Sequence, residues 1–159
     1  MEMYDNDNNT NQEPPLRKIL VPLDGSEWSF RAARYAIKIA TMAKAEIVCL
    51  HAVSNPPYTV YAHADELVPR YIEEARNEAQ KWYDDLKVIA EKAGLTRLTA
   101  ETILNALSVA DAITRYAEEN NVDLIVMGTK GRTGLKKVLL GGVASPVISH
   151  AKCPVLVVR

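Results

Sequence analysis

Between Gly128 and Ser145 the chain places glycines at 128, 131, 134, 141 and 142 among four bases, Lys130, Arg132, Lys136 and Lys137. Glycine lets the backbone approach a ligand closely and adopt positive φ. A cluster of such amides makes an anion-binding concavity, and the neighbouring bases add positive charge. A phosphate is the guest this combination suits. The run contains no G-x-x-x-x-G-K-[ST] loop and no G-x-G-x-x-G fingerprint, so neither P-loop hydrolysis nor ordinary dinucleotide binding is indicated. The same glycines would also serve a tight loop with no ligand. A second candidate is the turn Pro22-Leu23-Asp24-Gly25-Ser26, where the Asp24 carboxylate can accept hydrogen bonds from hydroxyls or simply make the turn beside Gly25.

Charge is distributed to match. The 159 residues carry 19 bases and 20 acids, a net −1. Residues 1–15 hold four of the acids, Glu2, Asp5, Asp7 and Glu13, and no base; the remainder has a net +3. From Leu124 to the C-terminus there are six bases and no acid. The acidic tail 1–15 lacks the apolar residues needed to offset its ordering entropy and is expected to be disordered. Residues 16–159 are expected to form one domain, long enough to bury a core without disulfides or metal. Apolar stretches are too short for a transmembrane helix, and the polar, acidic N-terminus is not that of a secretory signal. A soluble, cytoplasmic protein is expected, without a membrane partner.

The elements that must position these loops alternate. Ile19–Val21 is a strand candidate, and Ser26 caps a helix with the stripe Phe30, Ala33, Ile37 and Ala40. Ile47–Leu50 is a second strand, with His51 and Ala52 at its end. A loop through Pro56 and Pro57 runs to about Glu66. A helix then starts near Pro69, with Tyr71, Ala75, Ala79, Trp82, Leu86, Ile89 and Ala93 inward and Gly94 as its stop. Leu98–Ile103, a helix from Ser108 to Asn120, Leu124–Met127, a short helix near 143–150 and Val155–Val158 complete the chain. Strand and helix in alternation predict an α/β fold: a five-stranded parallel, doubly wound Rossmann-like sheet with helices on both faces. With the strand order 3-2-1-4-5, the sheet reverses between strands one and four. Ligands bind outside the strand ends at such a reversal, where both candidate loops would meet.

The sequence resembles the universal stress proteins over roughly residues 16–159. The resemblance rests on KILVPLDGS (Lys18 to Ser26), on His51-Ala52, on DLIVMGTKGRTGLKKVLLGG (Asp123 to Gly142) and on SHAKCPVLVV (Ser149 to Val158). The family's nucleotide pattern is glycine, two residues, glycine, nine residues, glycine, then Ser or Thr; Gly128, Gly131 and Gly141 keep that spacing. The resemblance implies a stress-response regulatory protein binding ATP, AMP or ADP, with Mg²⁺ as a possible companion. Pro22, Leu23, Asp24 and Ala52 would surround the adenosine, with Asp24 on the ribose and Met127 and Gly128 at the end of strand four. The amides of Gly131, Gly141, Gly142 and Val143 would hold phosphates, helped by Lys130 or Arg132, with Ala144 and Ser145 completing the set. One position departs from the pattern: Gly142 stands where Ser or Thr is wanted, Ala144 also lacks a hydroxyl, and Ser145 supplies one a position later. A lost hydrogen bond to a charged group weakens binding by roughly ten- to hundredfold. Ser145-Pro146 also reads as a cap and first helical residue, which would start the last helix away from the phosphates.

Two other readings stand beside nucleotide binding: a regulatory dimer that has lost tight binding, and a slow ATPase, for which no base is visible. His51, His63 and His150 have no metal spacing, and His51 reads as structural. Cys49 and Cys153 read as packed residues. Asp84-Asp85 and Glu118-Glu119 read as solvated. The basic stretch lacks interleaved aromatics, which argues against nucleic acid. Val155–Val158 is an apolar edge strand, an aggregation hazard unless covered, and is expected to pair with its symmetry mate in a homodimer, as the resemblance also implies.

Overall fold

A computed structural model describes residues 14–56, 64–132 and 140–159. The acidic tail through Glu13, His63 and the loop residues Gly134, Lys136 and Lys137 lie outside the described residues. Nine elements follow one another: β1 (Lys18–Pro22), α1 (Glu27–Ala43), β2 (Glu46–Ser54), α2 (Ala64–Lys92), β3 (Leu98–Ala106), α3 (Val109–Glu119), β4 (Leu124–Gly128), α4 (Ala144–His150) and β5 (Val155–Val158). The strands form one sheet in the order β3-β2-β1-β4-β5. Every pairing is parallel, with Ile19 opposite Ile47 on one side and Leu124 on the other, and Ile125 opposite Val155. The chain is therefore a doubly wound α/β sheet that reverses between β1 and β4.

Alternation along each strand sorts side chains to two cores. Ile19, Val21, Ile47 and Val126 pack beneath α1 and α2 with Ile37 and Leu86. Leu20, Val48, Leu50, Ile125 and Met127 pack beneath α3 and α4 with Ile113 and Val147. Ile19, Leu20 and Val21 of β1 are fully buried, as a strand covered on both faces must be.

Helix boundaries follow their caps. The Ser26 hydroxyl accepts from the Ser29 amide at 3.1 Å and starts α1; Ser108 does the same for Asp111 at the head of α3. Two helices differ in detail from the sequence reading. Helix α2 begins at Ala64, so Pro69 lies inside it rather than at its first turn. Its inward stripe ends on buried Ala90, and Ala93 is exposed, because the helix stops at Lys92 and Gly94 turns with φ 79°. Helix α4 begins at Ala144, as the short helix expected near 143–150 does, without the alternative Ser145 cap: Val143 occupies the cap position in αR conformation without a side-chain bond. Ala144 is buried in the α3–α4 core, which draws the helix start inward. Pro146 still falls in the first turn, where its missing N–H has no intrahelical partner to lose. Strand β2 also outruns His51 to reach Ser54, with a register shift against β3 between Ala52 and Ser54.

Candidate functional site

A cavity of about 640 Å³ opens at the carboxyl ends of the strands where the sheet reverses. Its floor is Pro22, Leu23 and Asp24 after β1, Leu50 to Ser54 of β2, and Met127 to Arg132 at and after β4. Gly141, Gly142, Val143 and Ala144 close one side, and Tyr71, Glu74 and Glu78 of α2 close another. The residues assigned to the nucleotide site from the sequence all line this cavity except Ser145; Gly134, Lys136 and Lys137 lie outside the described residues. Ser145 is exposed; its amide donates to the Gly141 carbonyl at 3.2 Å and its carbonyl accepts from the Ser149 hydroxyl at 3.0 Å. It does not line the cavity.

The turn after β1 is held from both sides. The Leu23 amide donates to the Leu50 carbonyl at 2.8 Å, and the Leu23 carbonyl accepts from His51 Nδ1 at 2.8 Å. A carbonyl can only accept, so His51 carries its proton on Nδ1. Burial holds the His51 pKa below the ordinary range, and the Leu23 bond opposes that shift. The ring meets Trp82 edge-on at 5.0 Å. These contacts fix the His51 ring in the floor of the cavity. Cys49, behind it, is buried and its thiol is pushed up to about 12 by burial, a packed side chain and not a nucleophile. Gly25 has φ +78°, and a Cβ there would lie 2.3 Å from the Trp82 ring. That turn therefore requires glycine on both conformational and steric grounds.

Asp24 divides its carboxylate. Oδ1 accepts from the Ser26 amide at 3.0 Å, completing the turn into α1, and Oδ2 accepts from the Arg132 amide at 3.0 Å. The turn-making role weighed for it from sequence is present in this geometry, and its second oxygen is engaged by the start of the glycine loop. The glycines of the loop are not equivalent. A Cβ on Gly128 would lie 2.8 Å from the Trp28 backbone, so this glycine lets β4 approach α1. The Gly141 amide donates to the Thr129 carbonyl at 2.7 Å and so is engaged within the loop. Gly142 has open space where a side chain would go.

Neither described base of the loop stands alone. Lys130 Nζ sits 5.7 Å from the Trp28 ring centroid, and the Arg132 guanidinium 5.1 Å from that of Trp82. Arg132 also bonds Glu78 Oε2 at 2.9 Å and, through Nε, the Asp24 carbonyl. The α2 wall, Tyr71, Glu74 and Glu78, was missed from sequence as part of the site. Tyr71 and Ala75 sit on the stripe read as core-facing; the upper turns of that stripe overlook the cavity instead. The signal available was acids at 74 and 78, one turn apart, flanking an apolar stripe. Val109 and Ile113 of α3 were read as inward and also reach the cavity. Among the described residues, no cluster of three His, Cys, Asp or Glu could hold a metal ion, and no helix is long and apolar enough to cross a membrane.

Comparisons with known proteins agree with this architecture. Residues 15–159 match the model of the universal stress protein family. The universal stress protein MJ0531 of Methanocaldococcus jannaschii is 40% identical over 151 residues, covering 94% of this chain and 85% of that protein. Among solved structures, hypothetical protein MJ0577 superposes with a TM-score of 0.78 at 28% identity, over 91% of this chain and 96% of that one. A universal stress protein solved in complex with cAMP shares the fold, with a TM-score of 0.70 at 24% identity, over 92% of this chain and 99% of its own. With its reversed parallel sheet, its loop glycines at family spacing and this match along nearly its whole length, the chain belongs to the universal stress protein family.

Proposed function

We propose that this chain is a stress-response regulatory protein that binds ATP or a related adenine nucleotide in the cavity between β1 and β4. The observation that carries the reading is the convergence of the Asp24 turn, the end of β2 and the glycine loop on one cavity of about 640 Å³. That volume lies in the range of small-molecule sites, and the family architecture holds cAMP in the solved neighbour. Adenosine lies against Pro22, Leu23, Ala52 and Met127, with its ribose on Asp24. The phosphates lie along Gly131, Gly142 and Val143, within reach of Lys130, and Mg²⁺ accompanies them. Gly128 and Gly141 serve this site through the loop's shape, and Ala144 through the packing of α4. The protein acts in the cytoplasm.

Titration calorimetry with ATP and Mg²⁺ tests the reading. Saturable heat at one site per chain is expected, weakened about tenfold or more by Asp24→Ala, which removes a charge-assisted acceptor. No heat, together with no nucleotide retained on purification, overturns it. A second reading, a regulatory dimer without tight nucleotide binding, is favoured by Gly142 and by the absence of Ser145 from the cavity lining. The same titration separates the two.

A further inference from the structure

Resting on that reading, we propose that Glu78 is a positioning residue that sets how strongly the site favours phosphate-bearing nucleotides, by holding Arg132 in a latch across the cavity wall. Three contacts form the latch. Arg132 Nη2 bonds Glu78 Oε2 at 2.9 Å. Its guanidinium lies over the Trp82 ring, with 5.1 Å between the Cζ atom and the ring centroid. Its Nε and amide both bond Asp24, through the carbonyl and Oδ2 respectively. Glu78 and Arg132 both line the cavity. One side chain thereby joins the glycine loop, the β1 turn and α2.

The latch has a consequence for binding. An arginine fork suits phosphate as well as carboxylate, so a phosphate entering the site competes with Glu78 for the same guanidinium. Adenosine, with no phosphate, asks nothing of Arg132. Glu78 therefore weakens the binding of nucleotides relative to nucleosides, and anything that neutralises or displaces it releases the arginine toward phosphate. Both side chains are about half exposed, so the pair is modest and sensitive to salt.

Three measurements on the full chain test this. In calorimetry at low salt, Glu78→Gln is expected to bind ATP about two- to fivefold more tightly while adenosine affinity is unchanged. In an Arg132→Gln background the gain should vanish. Equal gains in both backgrounds would assign the effect to long-range repulsion and overturn the latch, as would parallel shifts for ATP and adenosine. The latch is also read without nucleotide. In Trp28→Phe protein, Trp82 is the remaining tryptophan, and Glu78→Gln and Arg132→Gln should each shift its emission and its quenching by acrylamide. Unchanged emission overturns the latch. Shifted emission with no ATP or adenosine binding by any variant overturns instead the nucleotide reading, and with it the role of the latch in affinity.

Discussion

Gly142 is the residue at which this chain leaves its family's pattern, and its surroundings say what the departure costs. A Cβ added there meets nothing within 4 Å, so the glycine is not required by packing. Neighbouring glycines differ: Gly128 faces the Trp28 backbone and Gly141 the Thr129 carbonyl at 3.3 Å. A serine at 142 would restore the hydroxyl that the pattern places beside the phosphates without displacing any described atom. Gly142→Ser is therefore expected to tighten ATP binding by about tenfold or more, the worth of one hydrogen bond to a charged group. Calorimetry of the two proteins side by side checks it; an unchanged affinity would mean the phosphates do not pass this position. The chemistry of single residues was the part most legible in sequence, because glycine, aspartate and lysine announce their uses by type. What type alone could not reveal was how each is engaged. Nothing in the order of residues says that the Gly141 amide bonds Thr129 or that Arg132 turns to Glu78, 54 positions away.

At the scale of elements, the site exists because β4 and α1 come close enough for the two loops to meet. Gly128 ends β4 directly against Trp28 in the first turn of α1, and a Cβ there would sit 2.8 to 2.9 Å from the Trp28 backbone carbon and oxygen. Backbone cannot yield as a flexible side chain does, so the helix must shift. Gly128→Ala is expected to destabilise the fold by about 1–3 kcal/mol, the usual range for overpacking, read as a lower urea midpoint at an unchanged slope. A midpoint equal to that of the parent would show that β4 and α1 have room between them. Loss of binding in a Gly128 variant thus reports on packing first, and on the ligand only where the fold is shown intact. Element boundaries were legible wherever a side chain makes the cap: Ser26 and Ser108 each accept from the amide three residues on. The start of α2 was less legible, since the helix absorbs Pro69 five residues after its first residue, while buried Ala144 begins α4 one residue before Ser145. Polar signals at helix ends are local and can be read in order; burial depends on which core a residue meets.

For the whole molecule, the strand order leaves β5 at one edge and β3 at the other, and the two edges are built differently. β3 carries Thr99 and Glu101 exposed, and a charged, polar edge resists pairing. β5 is Val155-Leu156-Val157-Val158, with Leu156 38% exposed. Nearby in sequence, α4 and its cap add Ile148 and Val143, 41% and 36% exposed. The apolar residues along the last strand were legible in sequence, but only the order of the sheet makes them an edge. Pairing of β5 with the same strand of a second copy would satisfy its free backbone groups and cover Leu156, by the self-complementary contact of a two-fold dimer. Because β4, next inward, leads into the glycine loop, and the Thr129 amide bonds the Val158 carbonyl at 3.0 Å, an interface on β5 would adjoin the cavity. Sedimentation equilibrium across a range of concentrations should return a dimer for the parent chain. Leu156→Lys, which places a charge at the centre of the proposed contact, should return a monomer with an unchanged circular dichroism spectrum. A parent mass equal to one chain at every concentration would remove the dimer and leave the edge of β5 to some other cover. If instead the dimer forms and ATP affinity falls when Leu156→Lys breaks it, the path through Val158 and Thr129 is what joins assembly to binding.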